Sequence, residues 1–359
     1  MKLSRWVFAV LLLSGGAIAA PDVEIVGEIT QPVTLPANPG NIVGRSVPQA
    51  PVSKQITLLK MQLSERAMQT IVQRAGRIGL GYQSVSMSAK LPAAVQLGMN
   101  NVPVLDQGVH GTCVTFANTA AINAALNKGD YISQLCQLQL GLHFANNGYN
   151  ASGWEGTFGP YVLNQMDAFG IVSKTQQRTY GCGGLTEYPL ADAAPVTEMP
   201  LPDYHPLSEP IHKRVAWSPI LNVYQAMLDG SEPDRVINDI KVALNHGDRA
   251  TFGVLLADVE LGVAGAVGKH AATNDTWILT PQIVRDIKEG SASFGGHEMI
   301  ITGYDDNAVA VDNEGNQYRG LFTVRNSWGS RIGNKGDFYI SYDYLKVLAL
   351  EAQRIRRLF

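Results

Sequence analysis

The 359-residue chain is 45% hydrophobic and 16% charged, a globular composition that allows a sizeable core and excludes wholesale disorder. Its net charge of −3 and pI near 6.2, with no basic block, give no footing for nucleic acid or an anionic membrane as partner. Residues 1–19 read as a secretory signal peptide. Lys2 and Arg5 form a basic start, Trp6 to Leu13 is an apolar run too short to span a bilayer, and Ala17-Ile18-Ala19 offers a cleavage site before Ala20. The mature protein is therefore expected to be exported, periplasmic or extracellular, in a compartment that permits disulfides.

The stretch "QPVTLPANPGNIVGRSVPQAP" that follows reads as extended and mobile. Beyond it, Ala67, Met68, Ile71, Val72 and Ala75 recur at helical spacing opposite Glu65, Arg66, Gln69, Gln73 and Arg74, which predicts an amphipathic helix near 64–76. "GYQSVSMSAK" reads as a linker, and a compact domain begins at Leu91. A helix is expected after Cys113, packed through Phe116 and the alanines at 117, 120, 121, 124 and 125, and another through "GPYVLNQMDAFG" up to Gly170. Eight of the 18 prolines fall between Pro189 and Pro233, so 183–234 reads as a long irregular excursion with at most short helices. A helix through Val236, Ile240 and Leu244 then precedes strand candidates "ATFGVLLA", "HEMIITGYD", "AVAVD", "LFTVRN" and "DFYISYD". Helices first and strands second imply an α+β fold with two subregions meeting at a cleft.

Three cysteines in an exported chain leave one unpaired. Cys136 and Cys182 lie in less distinctive surroundings than Cys113, so they are the expected bridge, which the chain-entropy model credits with about 4 kcal/mol. Cys113 stands between a glycine-containing turn, "DQGVHGTC", and an apolar helix. There, unpaired N–H groups and the positive end of the helix dipole favour a thiolate. Gly108 and Gly111 are expected to keep the approach open, and Gln107 to aim its amide at the same space. Among seven histidines, His205 and His212 fall in the excursion and His246 at a helix stop, whereas His297 follows Gly295-Gly296 at the start of a strand. Asn326 sits at a strand end with Trp328 two residues on. An Asn carbonyl there can orient an imidazole and an indole can shield that bond, although Asn-Ser-Trp-Gly alone is equally a tight turn.

Taken in order, "LPAAVQLGMNNVPVLDQGVHGTCVTFA", "GGHEMIITGYDD" and "VRNSWGSRIGNKGDFYISYDYL" resemble the papain-like cysteine peptidases, with a bacterial-type secreted member as the expectation. The resemblance implies a two-subdomain fold, with a helical left half, a β-barrel-like right half and an active-site cleft between them. It implies Cys113 as nucleophile, His297 as base and acid, Asn326 as its orienter and Trp328 as shield. Gln107 and the Cys113 N–H would form the oxyanion hole, and Gly111, Gly156, Thr157 and Glu298 would line the substrate site. It also supports the Cys136–Cys182 bridge. Relatives often carry a disulfide where His110 and Trp154 stand here, so that bridge is absent. The 184 residues between Cys113 and His297 exceed the roughly 130–150 of relatives, which fits an insertion at 183–234. Glu298 replaces a usually small residue beside the pocket for the second side chain upstream of the cut. It either favours a basic substrate residue or points to an internal Arg or to solvent. "DNEGNQ" at 312–317 lacks an EF-hand pattern and reads as a hairpin turn.

The implied function is a secreted cysteine endopeptidase made as a zymogen. Residues 20–90 are its prosegment and intramolecular inhibitor, and 91–359 its peptidase domain. It acts on peptide or protein substrates as a monomer, without cofactor or metal. Two alternatives share the residues: another acyl transfer at the same Cys-His-Asn site, such as deamidation or transamidation, and a catalytically silent binding protein.

Overall fold

The computed structural model describes residues 21–35, 52–79, 91–149, 152–228, 232–257, 275–312 and 314–358. The expected signal peptide, the linker 81–90 and most of the Pro/Gly stretch after Leu35 lie outside them. Two lobes meet face to face. The helical lobe carries α2 (Cys113–Leu126), α3 (Gln134–Asn146), α4 (Gly159–Phe169) and α5 (Lys174–Tyr180). The sheet lobe is built on β6 (Val215–Leu221), β7 (Arg249–Ala257), β8 (Thr276–Trp277), β9 (Phe294–Val311), β10 (Gln317–Arg325), β11 (Asp337–Ser341) and β12 (Ala349–Arg357). The ladder runs β6-β12-β7-β9-β10-β11-β8, antiparallel except for β11 with β8. Its end strands β6 and β8 do not pair with each other among the described residues, so no closed barrel is seen in them. The α+β class stands.

Three elements differ from the expectations. Pro219 did not prevent β6, because this strand lies at the sheet edge, where a missing N–H costs no ladder bond on the open side. Strand β12 follows α10 (Tyr342–Leu348) and went unread because "ALEAQRIRR" looks helical in composition. Most consequentially, the N-terminal region is a β-hairpin, β1 (Val23–Leu35) on β2 (Val52–Leu63), which leads directly into α1 (Glu65–Gly79). Ser64 caps that helix, its hydroxyl accepting from the Ala67 N–H at 3.1 Å and donating to Asp22 at 2.7 Å. Strands β9 and β10 pair antiparallel with Gln317 opposite Val311, as a hairpin turn at 312–317 requires, residue 313 lying outside the described residues.

The hairpin is a wedge between the lobes. Successive strand side chains point to opposite faces, so Ile56 and Leu58 enter the core of the sheet lobe while Leu59 enters the core around α2. Among the described residues, backbone pairing to the sheet adds only Leu59 with Gly296 and Lys60 with Gly295 on β9. Helix α1 is held differently. Ala67, Ile71 and Ala75 are fully buried in the same core as Ile283 and Ile287 of α9 (Pro281–Glu289) and Leu348 of α10. Arg74, itself buried, donates to the Ala226 carbonyl. The cysteine pairing is as expected, Cys136 of α3 with Cys182 inside the helical lobe, leaving Cys113 free.

Because α1 is a component of the core and not a surface strap, Ile71→Ala is expected to destabilise the full chain by about 3 kcal/mol, read as a lower denaturant midpoint at unchanged m-value.

Candidate active site

Helix α2 is buried on nearly every side, from Cys113 to Ala125. The apolar face expected from its alanines is therefore only part of its contact, and the small residues allow close approach to the sheet strands. Most of its polar members find partners within the core, although Asn123 Nδ2 has none among the described residues. The Asn123 side chain accepts from the Ile132 N–H at 3.1 Å, and the Thr119 hydroxyl donates to the Thr115 carbonyl at 2.7 Å. This packing sets Cys113, the first residue of the helix, against β9. Neither a side-chain cap nor a first-turn carboxylate competes for the free N–H groups there. The thiol accepts from the N–H of Glu298, the residue after His297. Burial nevertheless dominates and pushes its pKa up to about 12.

His297 is held by the partners the sequence named. Its Nε2 lies 2.8 Å from Asn326 Oδ1, and the Trp328 indole stacks on the ring at 4.5 Å and 24°. Asn326 Oδ1 also accepts the Ser327 N–H at 2.6 Å, so this atom is an acceptor and Nε2 must be the donor. In the neutral ring, Nδ1 then carries the lone pair. It is buried and makes no hydrogen bond among the described residues. Burial pulls the imidazole pKa down to about 4 against the opposing bond from Asn326.

Gln107 is fixed from three sides. Its backbone N–H donates to the Ser327 carbonyl at 2.8 Å, its Oε1 accepts from Ser327 Oγ at 2.7 Å, and its Nε2 donates to the His110 carbonyl at 2.8 Å. The remaining amide hydrogen points towards the Thr57 carbonyl of the hairpin at 3.4 Å. Gly111 and Gly156, expected to line the substrate site, both meet the hairpin. The Gly111 N–H donates to the Glu28 carboxylate at 2.6 Å, and a Cβ on Gly156 would lie 2.6 Å from Leu59. Thr157 is buried beside them with its hydroxyl unpartnered. Lys54 pairs with Asp106 and donates to the Trp328 carbonyl at 2.8 Å. The hairpin thus covers the site from Gly111 across to Trp328.

Gly108 serves a different purpose from the one expected. It has φ +62°, and a Cβ would sit 1.9 Å from the Leu190 carbonyl oxygen, so it admits the start of the 183–234 excursion and not a substrate. That excursion buttresses the nucleophile turn. Tyr188 Oη donates to the Gln107 carbonyl at 2.8 Å and lies 2.9 Å from Thr112 Oγ1, and the Pro189 carbonyl lies 2.6 Å from His110 Nε2. His110 and Trp154, where relatives carry a bridge, meet edge-to-face at 5.2 Å. Tyr188 gave no sequence signal, since its partner is the backbone 81 residues earlier.

Glu298 points neither to solvent nor to an Arg. It is 1% exposed and accepts from Asn118 Nδ2 at 2.6 Å. Beside it stands Glu351 of β12, buried too, which accepts from the Gly159 N–H at 2.8 Å. Burial, then mutual repulsion, hold Glu298 well above the usual carboxylate range, and burial lifts Glu351 to about 7. Among the described residues, no cluster of His, Cys, Asp or Glu is placed to hold a metal ion.

Two outcomes follow from these environments. In the full chain, Cys113 is expected to react with iodoacetamide at least about 100-fold more slowly at pH 8 than an ordinary thiol of pKa about 8.5. Its rate should still be climbing above pH 9. Because the folded pKa of Glu351 is raised, its contribution to stability is full below the unfolded carboxyl pKa of about 4.3 and is lost as pH rises through about 7. Thermal melting should fall between pH 5 and 8, and Glu351→Gln should flatten that fall.

No protein-family model matches the chain, and no curated protein does. Among solved structures, it is similar to xylellain, a cysteine protease from Xylella fastidiosa, at 21% identity and a TM-score of 0.48, covering 76% of this chain and 88% of that one. It is also similar to digestive procathepsin L 3 of the Tenebrio molitor larval midgut, at 15% identity and a TM-score of 0.45, covering 81% and 79%. For the bromelain protease from Ananas comosus the values are 14% and 0.44, covering 74% and 99%.

Proposed function

We propose that the chain is a papain-like cysteine endopeptidase, exported and made as a zymogen. The observation that supports this reading is a free thiol, Cys113, at the head of α2, with the backbone of Glu298, the residue after His297, against it. With it comes an imidazole whose tautomer is fixed by Asn326 and whose ring stacks on Trp328. Once the hairpin leaves, water reaches both groups and the burial that keeps them neutral is relieved. Proton transfer from Cys113 Sγ to His297 Nδ1 then gives a thiolate at the positive end of α2. The thiolate attacks the scissile carbonyl. The developing oxyanion is met by the Cys113 N–H and the Gln107 amide hydrogen that now faces Thr57. His297 returns its proton to the leaving amine, and a water activated by the same nitrogen releases the acyl group from sulfur.

In this reading, residues 20–90 inhibit by occupation. The hairpin seats Leu59 at Gly156, Glu28 at Gly111 and Lys54 at Asp106, and its burial of the pair supports a neutral, unreactive ground state. The disulfide fits an oxidising compartment and hence export.

The deciding experiment incubates purified protein lacking residues 1–19 with fluorogenic peptides before and after limited removal of the N-terminal region. Activity should appear on processing, vanish in Cys113→Ala and His297→Ala, and drop about 10²- to 10³-fold in kcat for Gln107→Ala. Ready alkylation of Cys113 in processed protein that cuts no peptide would overturn the peptidase reading.

A further inference from the structure

The turn that precedes α2 carries both groups of the proposed oxyanion hole. The Gln107 amide stands at one end, and at the other is Thr112, whose peptide link supplies the Cys113 N–H. No covalent bond pins this turn, since the chain's disulfide is Cys136–Cys182 and Cys113 is free. Residues 188–190, at the start of the excursion, bind it at three points instead. The Leu190 carbonyl accepts the Val109 N–H at 3.0 Å, and the Pro189 carbonyl accepts from His110 Nε2 at 2.6 Å. Tyr188 makes the third connection. Its ring stacks on Trp154 at 5.7 Å and 8°, and meets Phe116 of α2 edge-on at 5.0 Å.

The phenol has one hydrogen, and counting protons fixes where it goes. The Gln107 carbonyl, 2.8 Å away, can only accept, so Tyr188 Oη donates to it. Thr112 Oγ1 lies 2.9 Å from the same oxygen and must then be the donor of the second bond. One hydroxyl therefore bridges residue 107 to residue 112, the two places from which the oxyanion donors project. Burial raises the phenol's pKa, so it stays protonated and able to donate throughout the working pH range.

We propose that Tyr188 is a positioning residue for acyl transfer at Cys113: its hydroxyl sets the separation of the Gln107 amide and the Cys113 N–H, so that the excursion contributes to transition-state stabilisation and not to folding alone. Oxyanion donors act only when held about 3 Å from the place where charge develops. A Phe at position 188 keeps the ring contacts and removes both bonds that fix this placement. The assignment deepens the peptidase reading and rests on it for the location of the oxyanion hole. Since the phenol does not titrate in the working range, its contribution is the same at every pH, unlike those of Cys113 and His297.

In processed enzyme, Tyr188→Phe is expected to lower kcat for a fluorogenic peptide about tenfold with KM changed less than about twofold, by the same factor at pH 5 and pH 8. Two reactions of Cys113 separate donor placement from thiol reactivity. In acylation by p-nitrophenyl acetate, Cys113 Sγ bonds the carbonyl carbon while its proton goes to His297. The carbonyl electron pair moves onto oxygen and then returns as p-nitrophenolate leaves. Alkylation by iodoacetamide displaces iodide and forms no oxyanion. The ratio of the acylation rate to the alkylation rate should fall about tenfold in Tyr188→Phe. In the double variant with Gln107→Ala, the loss should be at least about threefold smaller than the product of the single losses. Thr112→Val, which removes only the second bond, should lower the ratio by about threefold. A ratio unmoved in these variants overturns the assignment, as does an equal slowing of both reactions, which is what general loosening of the fold would give. A ratio that falls while no peptide is cut leaves the positioning role standing and removes the peptidase reading. Peptides cut with the ratio unmoved do the reverse.

Discussion

The arrangement depends on one helix being able to lie almost naked against a sheet. Helix α2 presents alanines where a bulkier helix would hold the strands away, and its first residue consequently lands on the backbone of β9. Every other part of the site answers to that contact. His297 is on the strand the helix touches, Asn326 is at the end of the strand paired with it, and Gln107 reaches back through Ser327 to the same corner. Most of the polar groups that this close packing buries are satisfied in pairs; among the described residues Asn123 Nδ2, His297 Nδ1 and Glu298 Oε2 are not, and of these His297 Nδ1 is the atom that the proposed proton transfer uses.

Seen this way, the hairpin and the site share a single set of contacts. In the proposed reading, the glycines that would let a substrate approach the thiol also admit Leu59, and the amide that would meet an oxyanion is the one directed at the Thr57 carbonyl. The same closure keeps water from the thiol and imidazole, which is why their environments push in opposite directions, the acid up and the base down. In that reading, inhibition and pre-organisation would be two effects of one burial.

The catalytic centre was legible in the sequence because its members sit at element boundaries with short-range marks: a glycine turn before a helix, paired glycines before a strand, an Asn-Ser-Trp-Gly end. The helices α1, α2, α4 and α8 (Pro233–Asn245) announced themselves by period, cap or proline. What stayed hidden is long-range. Strand β1 contains Pro32 and alternates only weakly, and its register comes from β2 across a stretch of chain rich in Pro and Gly. Glu351 lies 53 residues after Glu298, and only the β12-β7-β9 ladder makes them neighbours. Tyr188 acts on a backbone carbonyl, which leaves no compositional trace.

The unequal anchoring of the N-terminal region has a kinetic meaning. The hairpin meets β9 through two residue pairs, whereas α1 is embedded among the core helices. A single cut after α1 would therefore leave the hairpin tethered through Ser64 to a helix that stays in place. Its return to the cleft remains an intramolecular event, at an effective concentration in the millimolar range typical of short tethers. Dilution would not relieve it and a substrate at micromolar concentration would compete poorly. For the proposed zymogen, full activity would await a second event that severs or degrades the hairpin itself, so that two fastenings of unequal strength would be released in a fixed order.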